Sequence, residues 1–271
     1  VVAPFAAALL AACSQPNDAW LGYAEGDYIF VSAPRAGWVT RVDPKLGDWV
    51  NKGEPLFSLD DTDQIAARDS AKAALELAQG QMAQAQANLV LARKTLRRQQ
   101  SLARGKVNSK ENLDQAKSGY LTAEAQVEQI KAQENSADAA LSSARYQLAQ
   151  RHIASAISGR LQEIFFRGGE YVPATTPVIS ILPPANIYVR FFVPEDQFSR
   201  IRLGERVAIK CDGCADNLVA SISFIASREE FTPPVIFSVA SRQKLVFKIE
   251  AHAPGGLRLN PGQPVDVRPL S

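Results

Sequence analysis

The longest pattern in the chain is a run of apolar positions spaced three and four residues apart. Residues 64–150 are rich in Ala, Gln, Leu, Lys and Glu, which favour helices, and no proline occurs between Pro55 and Pro173. The spacing is that of a heptad repeat and predicts two helices packed as an antiparallel hairpin, each about 40 residues and roughly 60 Å long. The seam positions are Leu75, Ala78, Met82, Ala85, Leu89, Ala92 and Leu96, then Leu113, Ala116, Tyr120, Ala123, Val127, Ile130, Glu134, Ala137, Leu141, Ala144 and Leu148.

Two segments that flank the hairpin, 33–60 and 155–182, repeat one pattern at a constant offset of 122 residues. Both alternate apolar residues with glycine turns, which predicts short β-strands. Because each half is too small to bury its own apolar face, we expect the two halves to pack on each other. The equivalent pairs are Gly37 and Gly159, Val39 and Leu161, Val42 and Ile164, Gly47 and Gly169, Val50 and Val172, Pro55 and Pro177, and Leu59 and Ile181.

The region 183–271 has the pattern of a small antiparallel β-domain. The runs 186–193, 205–211, 217–225 and 244–251 alternate apolar and polar residues or are rich in β-branched residues. Residues 194–201 favour one short helix. The segment REEFTPP, residues 228–234, is expected to interrupt the strands as a loop.

Charge and composition weigh against several classes of protein. The formal net charge is +2 with a pI near 8.4, which is too balanced for a protein that mainly binds nucleic-acid phosphates. The apolar fraction of 46% is sufficient for a folded core. The two histidines lie in no motif, and there are three cysteines. We therefore expect no enzymatic activity, no cofactor, no metal and no nucleic-acid partner.

The first 13 residues are apolar and too short to span a bilayer as a helix. They resemble the end of a secretory signal. Their last four residues, Leu10-Ala11-Ala12-Cys13, resemble the lipobox of bacterial lipoproteins, in which the cysteine carries lipid. We expect Cys13 to be lipidated and to anchor the protein in the periplasm, with the inner membrane favoured. A plain signal peptide with a chance cysteine is the alternative.

A helical hairpin inserted between two strand-rich repeats resembles the membrane fusion proteins, or periplasmic adaptors of the haemolysin-D type. The resemblance covers nearly the whole chain beyond residue 13. It implies an elongated fold of mixed α and β class, with a split lipoyl (biotinyl-like) domain, an antiparallel coiled-coil hairpin and a six-stranded β-barrel. A lipoyl or biotinyl carrier is the rival, but its modified lysine lies in a turn that the hairpin replaces here.

The resemblance also implies the domain boundaries. Residues 1–13 would be the signal segment, and 14–30 would supply a strand to the barrel. Residues 31–61 and 151–182 would be the two lipoyl halves, 62–150 the hairpin, and 183–271 the barrel domain.

The partners follow from the resemblance as well. It implies a homo-oligomer, expected to be a hexamer, that links an inner-membrane exporter to a TolC-like outer-membrane channel across the Gram-negative envelope. The segment 228–234 resembles a loop of adaptors for ATP-driven exporters and favours an ABC-type exporter, with a proton-driven RND or MFS pump as the alternative. A stand-alone coiled-coil envelope lipoprotein is the alternative from another class.

The break between the two helices carries a short motif of its own. Continuing the first heptad places Arg98 and Leu102 four residues apart on one face, away from the seam. Ser109, or Asn108 with Glu111, can cap the second helix. An Arg, a Leu and a Ser at this spacing resemble the tip motif of adaptors that dock on TolC-like channels. The resemblance therefore implies Arg98, Leu102 and Ser109 as docking residues, with capping as the alternative role for Ser109.

The tip is also basic, through Lys94, Arg97, Arg104, Lys106 and Lys110. These charges suit an acidic channel mouth. An ordinary solvated surface explains them equally well.

Cys211 and Cys214 enclose an Asp-Gly pair. A redox-active pair needs a helix N-terminus or a nearby cation, and a zinc site needs two further soft ligands. Asp-Gly favours a two-residue hairpin turn, and an extracytoplasmic location favours oxidation. We expect a structural disulfide that pins one hairpin of the barrel, with two free thiols as the alternative.

Overall fold

The computed structural model describes residues 19–105, 109–215, 217–231 and 245–270, and the structural statements below concern these residues. Two long helices, α1 (Thr62–Arg104) and α2 (Lys110–Ala149), form the predicted antiparallel hairpin. Every predicted seam residue is buried or half-buried, including Glu134, whereas most other helical positions are exposed. The heptad pattern is therefore confirmed as the packing seam. Within the described residues, no helix combines the length and apolarity needed to cross a membrane.

The repeats form a β-sandwich with an internal two-fold relationship. The first half supplies β2 (Ile29–Ser32), β3 (Gly37–Val42), β4 (Trp49–Val50) and β5 (Pro55–Leu59). The second supplies β6 (His152–Ala154), β7 (Gly159–Ile164), β8 (Tyr171–Val172) and β9 (Pro177–Leu182). The sheets run β2-β9-β7-β4 and β6-β5-β3-β8, so each half lends strands to both. The sandwich begins at Ile29, slightly before the boundary predicted at residue 31.

The two halves share strands because they bury their apolar side chains in one common core. Side chains from the two halves, among them Val39, Phe57, Leu161 and Ile181, are at most 1% exposed and form one cluster. Separating the halves would expose this cluster, and burial stabilises the fold by about 25 cal/mol per Å² of apolar surface. The expectation that the halves pack on each other is confirmed.

Six strands close into a barrel. They are β1 (Trp20–Gly26), β10 (Ile187–Pro194), β11 (Arg206–Lys210), β12 (Leu218–Phe231), β13 (Leu245–His252) and β14 (Pro264–Pro269). The closed order is β1-β10-β13-β12-β11-β14, so the strand before the first repeat completes the barrel as the resemblance implied. A single helical turn, α3 (Glu195–Phe198), follows β10 as predicted.

One loop expectation is wrong over part of its length. Residues 228–231 were expected to begin a loop, but they continue β12, and 229–231 pair with β13, as in the register of Glu230 with Val246. Ladder hydrogen bonds to a neighbouring strand satisfy the backbone there, despite a polar sequence that favours a loop. The rest of the expected loop, 232–234, lies outside the described residues.

The chain passes between the barrel and the sandwich at two places, near Asp27 and near Asn186, and these two segments bind each other. The N–H of Asp27 donates to the carbonyl of Asn186 at 3.1 Å, and the Asn186 side-chain amide donates to the carbonyl of Asp27 at 2.9 Å. Gly256, at φ +88°, packs so closely that a Cβ there would lie 1.9 Å from the Pro184 carbonyl oxygen. A side chain at residue 256 would therefore displace the crossing chain.

Candidate docking site at the hairpin tip

The tip is built by the ends of the two helices. At the end of α1, the N–H of Gly105 donates to the carbonyl of Ser101 at 3.2 Å. At the start of α2, the hydroxyl oxygen of Ser109 accepts a hydrogen bond from the N–H of Asn112 at 3.3 Å. Ser109 is therefore an N-cap, which satisfies one of the unpaired donors of the first turn. Lys106 and Asn108 of the connection lie outside the described residues.

Arg98 and Leu102 project away from the coiled-coil seam. Gln99 and Ala103, the next seam positions, are half-buried, whereas Arg98 is exposed and Leu102 retains 40% of its accessible surface. Leu102 therefore lies outside the seam that packs α1 against α2. The structure places Arg98, Leu102 and the cap residue Ser109 at the same end of the hairpin, as the sequence predicted. Their docking role remains a proposal.

The described part of the tip is positively charged. Lys94, Arg97, Arg104 and Lys110 are exposed and accompany Arg98, while Glu111 and Asp114 supply the nearby carboxylates. Exposed cations of this kind contribute little to folding.

The root of the hairpin is fixed to the sandwich by polar contacts that the sequence analysis missed. The hydroxyl and N–H of Thr62 both donate to the Asp60 carboxylate, and these hydrogen bonds lower the pKa of the Asp60 carboxyl. His152 lies with Nε2 3.1 Å from Asp61 Oδ2 and Nδ1 3.3 Å from Ser58 Oγ. Arg151 donates to the carbonyl of Ala36 at 2.9 Å. The ends of both helices are thus tied to the strands beneath them.

A shallow groove between the helices was also not anticipated. It has a volume of about 510 Å³ and lies beside the tip. Small seam residues leave room between the helices, and amide side chains line the space. The lining includes Asn88, Leu91, Ala92, Thr95, Gln99, Asn112, Gln115, Ala116 and Gly119. The polar residues that flank the alanines of the seam are the sequence feature that could have predicted this groove.

Cys211 and Cys214 form a disulfide in the structure, with their Cα atoms 5.4 Å apart. The expected two-residue hairpin turn is wrong, because Ile209 of β11 pairs with Leu218 of β12 and the connection is longer. The cysteines instead close a tight turn within that connection. Gly213 has φ +75°, whereas Asp212 has no positive φ, so the turn lacks the two left-handed residues of a type I′ hairpin.

Two further expectations concern the lipidation of Cys13 and metal binding. Cys13 lies outside them. Across the part of the chain that is described, His, Cys, Asp and Glu side chains form no group of three or more that could hold a metal ion.

A helical hairpin inserted in a two-fold β-sandwich, together with a closed barrel, is the architecture that the resemblance implied. The family model described as "RND MFP, alpha-helical hairpin domain" matches residues 74–151. The chain is 26% identical over 253 residues to the colistin resistance protein EmrA of Acinetobacter baumannii, covering 78% of this chain and 70% of that protein. It is 25% identical over 228 residues to the multidrug export protein EmrA of Escherichia coli, covering 72% and 58%.

Solved structures show the same fold. The crystal structure of MacA from Actinobacillus actinomycetemcomitans superposes with a TM-score of 0.71 at 20% identity, covering 92% of this chain and 76% of that one. The match of the hairpin and the similarity to the two EmrA proteins support a membrane fusion protein, also called a periplasmic adaptor. The chain spans 58% to 70% of the length of the two EmrA relatives.

Proposed function

We propose that the protein is the periplasmic adaptor of an efflux or secretion assembly, and that it links an inner-membrane exporter to a TolC-like outer-membrane channel. The hairpin would reach outward and the barrel would lie nearer the exporter. Similarity to proteins named for multidrug export and colistin resistance supports this proposal. The protein would act by holding a conduit together and not by catalysing a reaction.

The observation that carries the proposal is the exposure of Leu102 at the hairpin tip. Leu102 lies off the seam and leaves 40% of its surface open to a partner at the tip. Exposed apolar side chains that converge with an arginine are typical of protein interfaces. We propose that Leu102 enters an apolar site on the channel, and that Arg98 and the Ser109 hydroxyl form polar contacts beside it.

Export by cells that carry the Leu102→Asp or Arg98→Asp variant tests this proposal. Both variants should fold normally and lose export together with binding to the channel, because a buried carboxylate has no partner at the docking surface. Leu77→Asp is the matched control, because Leu77 is 65% exposed on the same helix but far from the tip. Normal export by a folded Leu102→Asp variant would refute tip docking.

We propose an ABC-type exporter as the inner-membrane partner, with an RND or MFS pump as the alternative. The preference rests on the resemblance of segment 228–234 to a loop of such adaptors, and the first part of that segment lies in β12. Cross-linking the adaptor in cells and identifying the captured exporter by mass spectrometry tests the preference. ATP hydrolysis that rises when the adaptor is added supports it, and capture of a pump without an ATPase domain contradicts it.

We also propose that Cys13 carries a lipid that anchors the protein, with the inner membrane favoured, and that the adaptor assembles as a hexamer. Mass spectrometry of the mature N-terminus tests the anchor. A diacylglycerol adduct on Cys13 is expected, and an unmodified cysteine or cleavage elsewhere contradicts it. The Cys13→Ala variant should be released to the soluble periplasm or remain tethered by an uncut signal.

A further inference from the structure

The end of the barrel that lies away from the sandwich is formed by three neighbouring strands. β1 begins there at Trp20 and runs to Gly26, from which the chain passes into the sandwich. The antiparallel registers place Val267 of β14 opposite Trp20, and Val207 of β11 opposite Pro269. The end of β14 and the beginning of β11 therefore lie beside the beginning of β1, far from the helical hairpin.

The outer side of these strands carries cations and leucines. Arg206 and Lys210 are exposed and alternate with buried residues along β11, and Arg268 is exposed at the end of β14. The N–H of Leu270 donates to the carbonyl of Arg206 at 3.1 Å, so this leucine lies beside the first of the cations. We call this surface the rim face, and it is formed by Leu21, Leu203, Arg206, Lys210, Arg268 and Leu270.

The most exposed leucine that precedes β11 is held at the tip of a rigid turn. Leu203 is 68% exposed, and on either side of it the N–H of Arg202 donates to the Glu205 carboxylate at 3.0 Å. The N–H of Gly204, at φ +83°, donates to the carbonyl of Ile222 at 2.8 Å and ties the turn to the barrel. Leu21 and Leu270 retain 72% and 42% of their accessible surface. These leucines are fixed in solvent by the backbone, which is typical of surfaces that meet an apolar partner.

The cations of the rim face outnumber its carboxylates. Asp266 lies opposite Lys210 in the register of β14 and β11, yet among the described residues neither Lys210 nor Arg206 forms an ion pair. The opposite wall of the barrel differs, because Arg190 is bound there by two carboxylates at 2.7 and 2.8 Å. The positive charge of the barrel is therefore neutralised on one side and available on the other.

We propose that the rim face docks on the headgroups of anionic phospholipids, with Leu203 and Leu270 entering the boundary between headgroups and acyl chains. Arg206, Lys210 and Arg268 would bind the lipid phosphates. The inference goes beyond the proposed function and rests on it only for the lipid on Cys13. That residue precedes Trp20 by seven positions in the sequence. An extended chain of this length reaches about 25 Å, so the anchor would keep the rim face near the bilayer.

The chemistry of the rim face favours a membrane over a protein partner. Its leucines alternate with cations, and a bilayer surface offers phosphates directly above an apolar layer. A protein that covered the same surface would have to supply a matched carboxylate for each buried cation. A single lipid chain also gives only marginal membrane binding, so a second, electrostatic contact is what a stable anchor requires.

Binding of the full chain to vesicles tests the proposal. The Cys13→Ala protein, which carries no lipid, should bind vesicles that contain phosphatidylglycerol more tightly than vesicles of phosphatidylcholine alone, and added salt should remove the difference. In that background, Arg206→Gln should weaken co-sedimentation with the anionic vesicles about fivefold. Leu203→Asn should weaken it to a similar extent. The first residues of the chain are apolar, but they contribute equally to every variant.

Two substitutions on the hairpin are the matched controls. Arg145 is exposed and Leu77 is 65% exposed, and both lie on the helices, away from the barrel. Arg145→Gln and Leu77→Asn should bind the anionic vesicles as the Cys13→Ala parent does. Circular dichroism establishes that each protein is folded, and Lys210→Gln takes the place of any rim variant that is not.

Equal binding to the two kinds of vesicle, or parental affinity in both rim variants, would overturn the proposal. These assays contain neither exporter nor channel, so their outcome is independent of export. If the rim variants bind normally while Leu102→Asp abolishes export, the adaptor function stands and the rim face is wrong. If Leu102→Asp exports normally while the rim variants lose vesicle binding, the rim face stands without the docking role of the tip.

Discussion

Gly53 and Thr175 occupy equivalent positions of the two halves, and both adopt the left-handed backbone conformation, with φ of +87° and +64°. Their N–H groups make equivalent hydrogen bonds across the sandwich, from Gly53 to the carbonyl of Ser155 at 2.7 Å and from Thr175 to that of Ala33 at 2.8 Å. The fold therefore imposes this turn geometry twice. Only the first half supplies the residue that adopts it without strain.

The Thr175→Gly variant should be more stable than the wild type by about 0.5–1 kcal/mol. Left-handed backbone costs a residue with a Cβ about 1–2 kcal/mol, while the extra freedom of glycine in the unfolded chain offsets about 0.4–1 kcal/mol. Urea unfolding of the two proteins measures the difference. The reciprocal variant, Gly53→Thr, should be destabilised, and an unchanged Gly53→Thr protein would show that the turn relaxes.

Substitutions at Ser109 separate capping from docking. Ser109→Ala should lower the stability of the first turn of α2 by about 1 kcal/mol, because the N–H of Asn112 loses its acceptor. Ser109→Asp restores the cap, since aspartate is an equally good N-cap. Hydrogen exchange of the Asn112 amide reports the cap, and an export assay reports docking.

We expect the Ser109→Asp variant to recover amide protection but not export, because a carboxylate replaces the hydroxyl at the docking surface. Wild-type export by that variant would show that Ser109 acts only as a cap. Ser101→Ala is a suitable control on the opposite helix, where the hydroxyl donates to the carbonyl of Arg97 at 3.1 Å.

Tyr188 should make the stability of the protein depend on alkaline pH. Burial and a hydrogen bond to Glu25, 2.7 Å from its hydroxyl, raise the pKa of the Tyr188 phenol. Because the phenol holds its proton more tightly in the folded state, it stabilises the fold at every pH below its unfolded pKa, near 10. That stabilisation is lost as pH rises from the unfolded pKa through the higher folded pKa.

The Tyr188→Phe variant should therefore lose about 1 kcal/mol at neutral pH and show a shallower decline of stability between about pH 9 and 11. Urea unfolding of both proteins across this range gives the two slopes. Tyr146→Phe serves as the control, since Tyr146 is 65% exposed on α2. Parallel slopes for wild type and Tyr188→Phe would contradict a Tyr188 contribution.

The disulfide between Cys211 and Cys214 should stabilise the barrel slightly and play no part in export. Its loop is very short, so the gain should be smaller than the roughly 3 kcal/mol expected for a 15-residue loop. Both cysteines pack against the barrel core, and the Gln263 amide donates to Cys214 Sγ at 3.3 Å. A variant with both cysteines replaced by serine should melt a few degrees lower and export normally.

Thiol titration of the unfolded, unreduced protein from the periplasm checks the bond directly. No thiol should react from Cys211 or Cys214, and two reactive thiols would rule out the disulfide. Loss of export by the folded double variant would instead indicate a functional role for the turn.

The coiled-coil hairpin and the internal repeat could both be predicted from the sequence, because helix and strand packing follow local rules. The seam from Leu75 to Leu148 follows from heptad spacing, because a coiled coil selects apolar residues at fixed intervals. The repeat follows from spacing too, because Gly47 and Gly169 adopt left-handed turns at equivalent positions. Such constraints act on neighbouring residues, so a linear pattern records them.

The tertiary structure alone decided which residues meet across the chain. The continuation of β12 through Phe231 depends on backbone pairing with a distant strand, and no local propensity predicts it. Strands of both halves share each sheet, so equivalent residues of the two repeats lie in different sheets. The sequence by itself determined the helices, the repeat and the off-seam leucine at the tip. The pairing of distant strands decided which side chains are exposed on the sandwich, because burial in the shared core fixes the direction of each side chain.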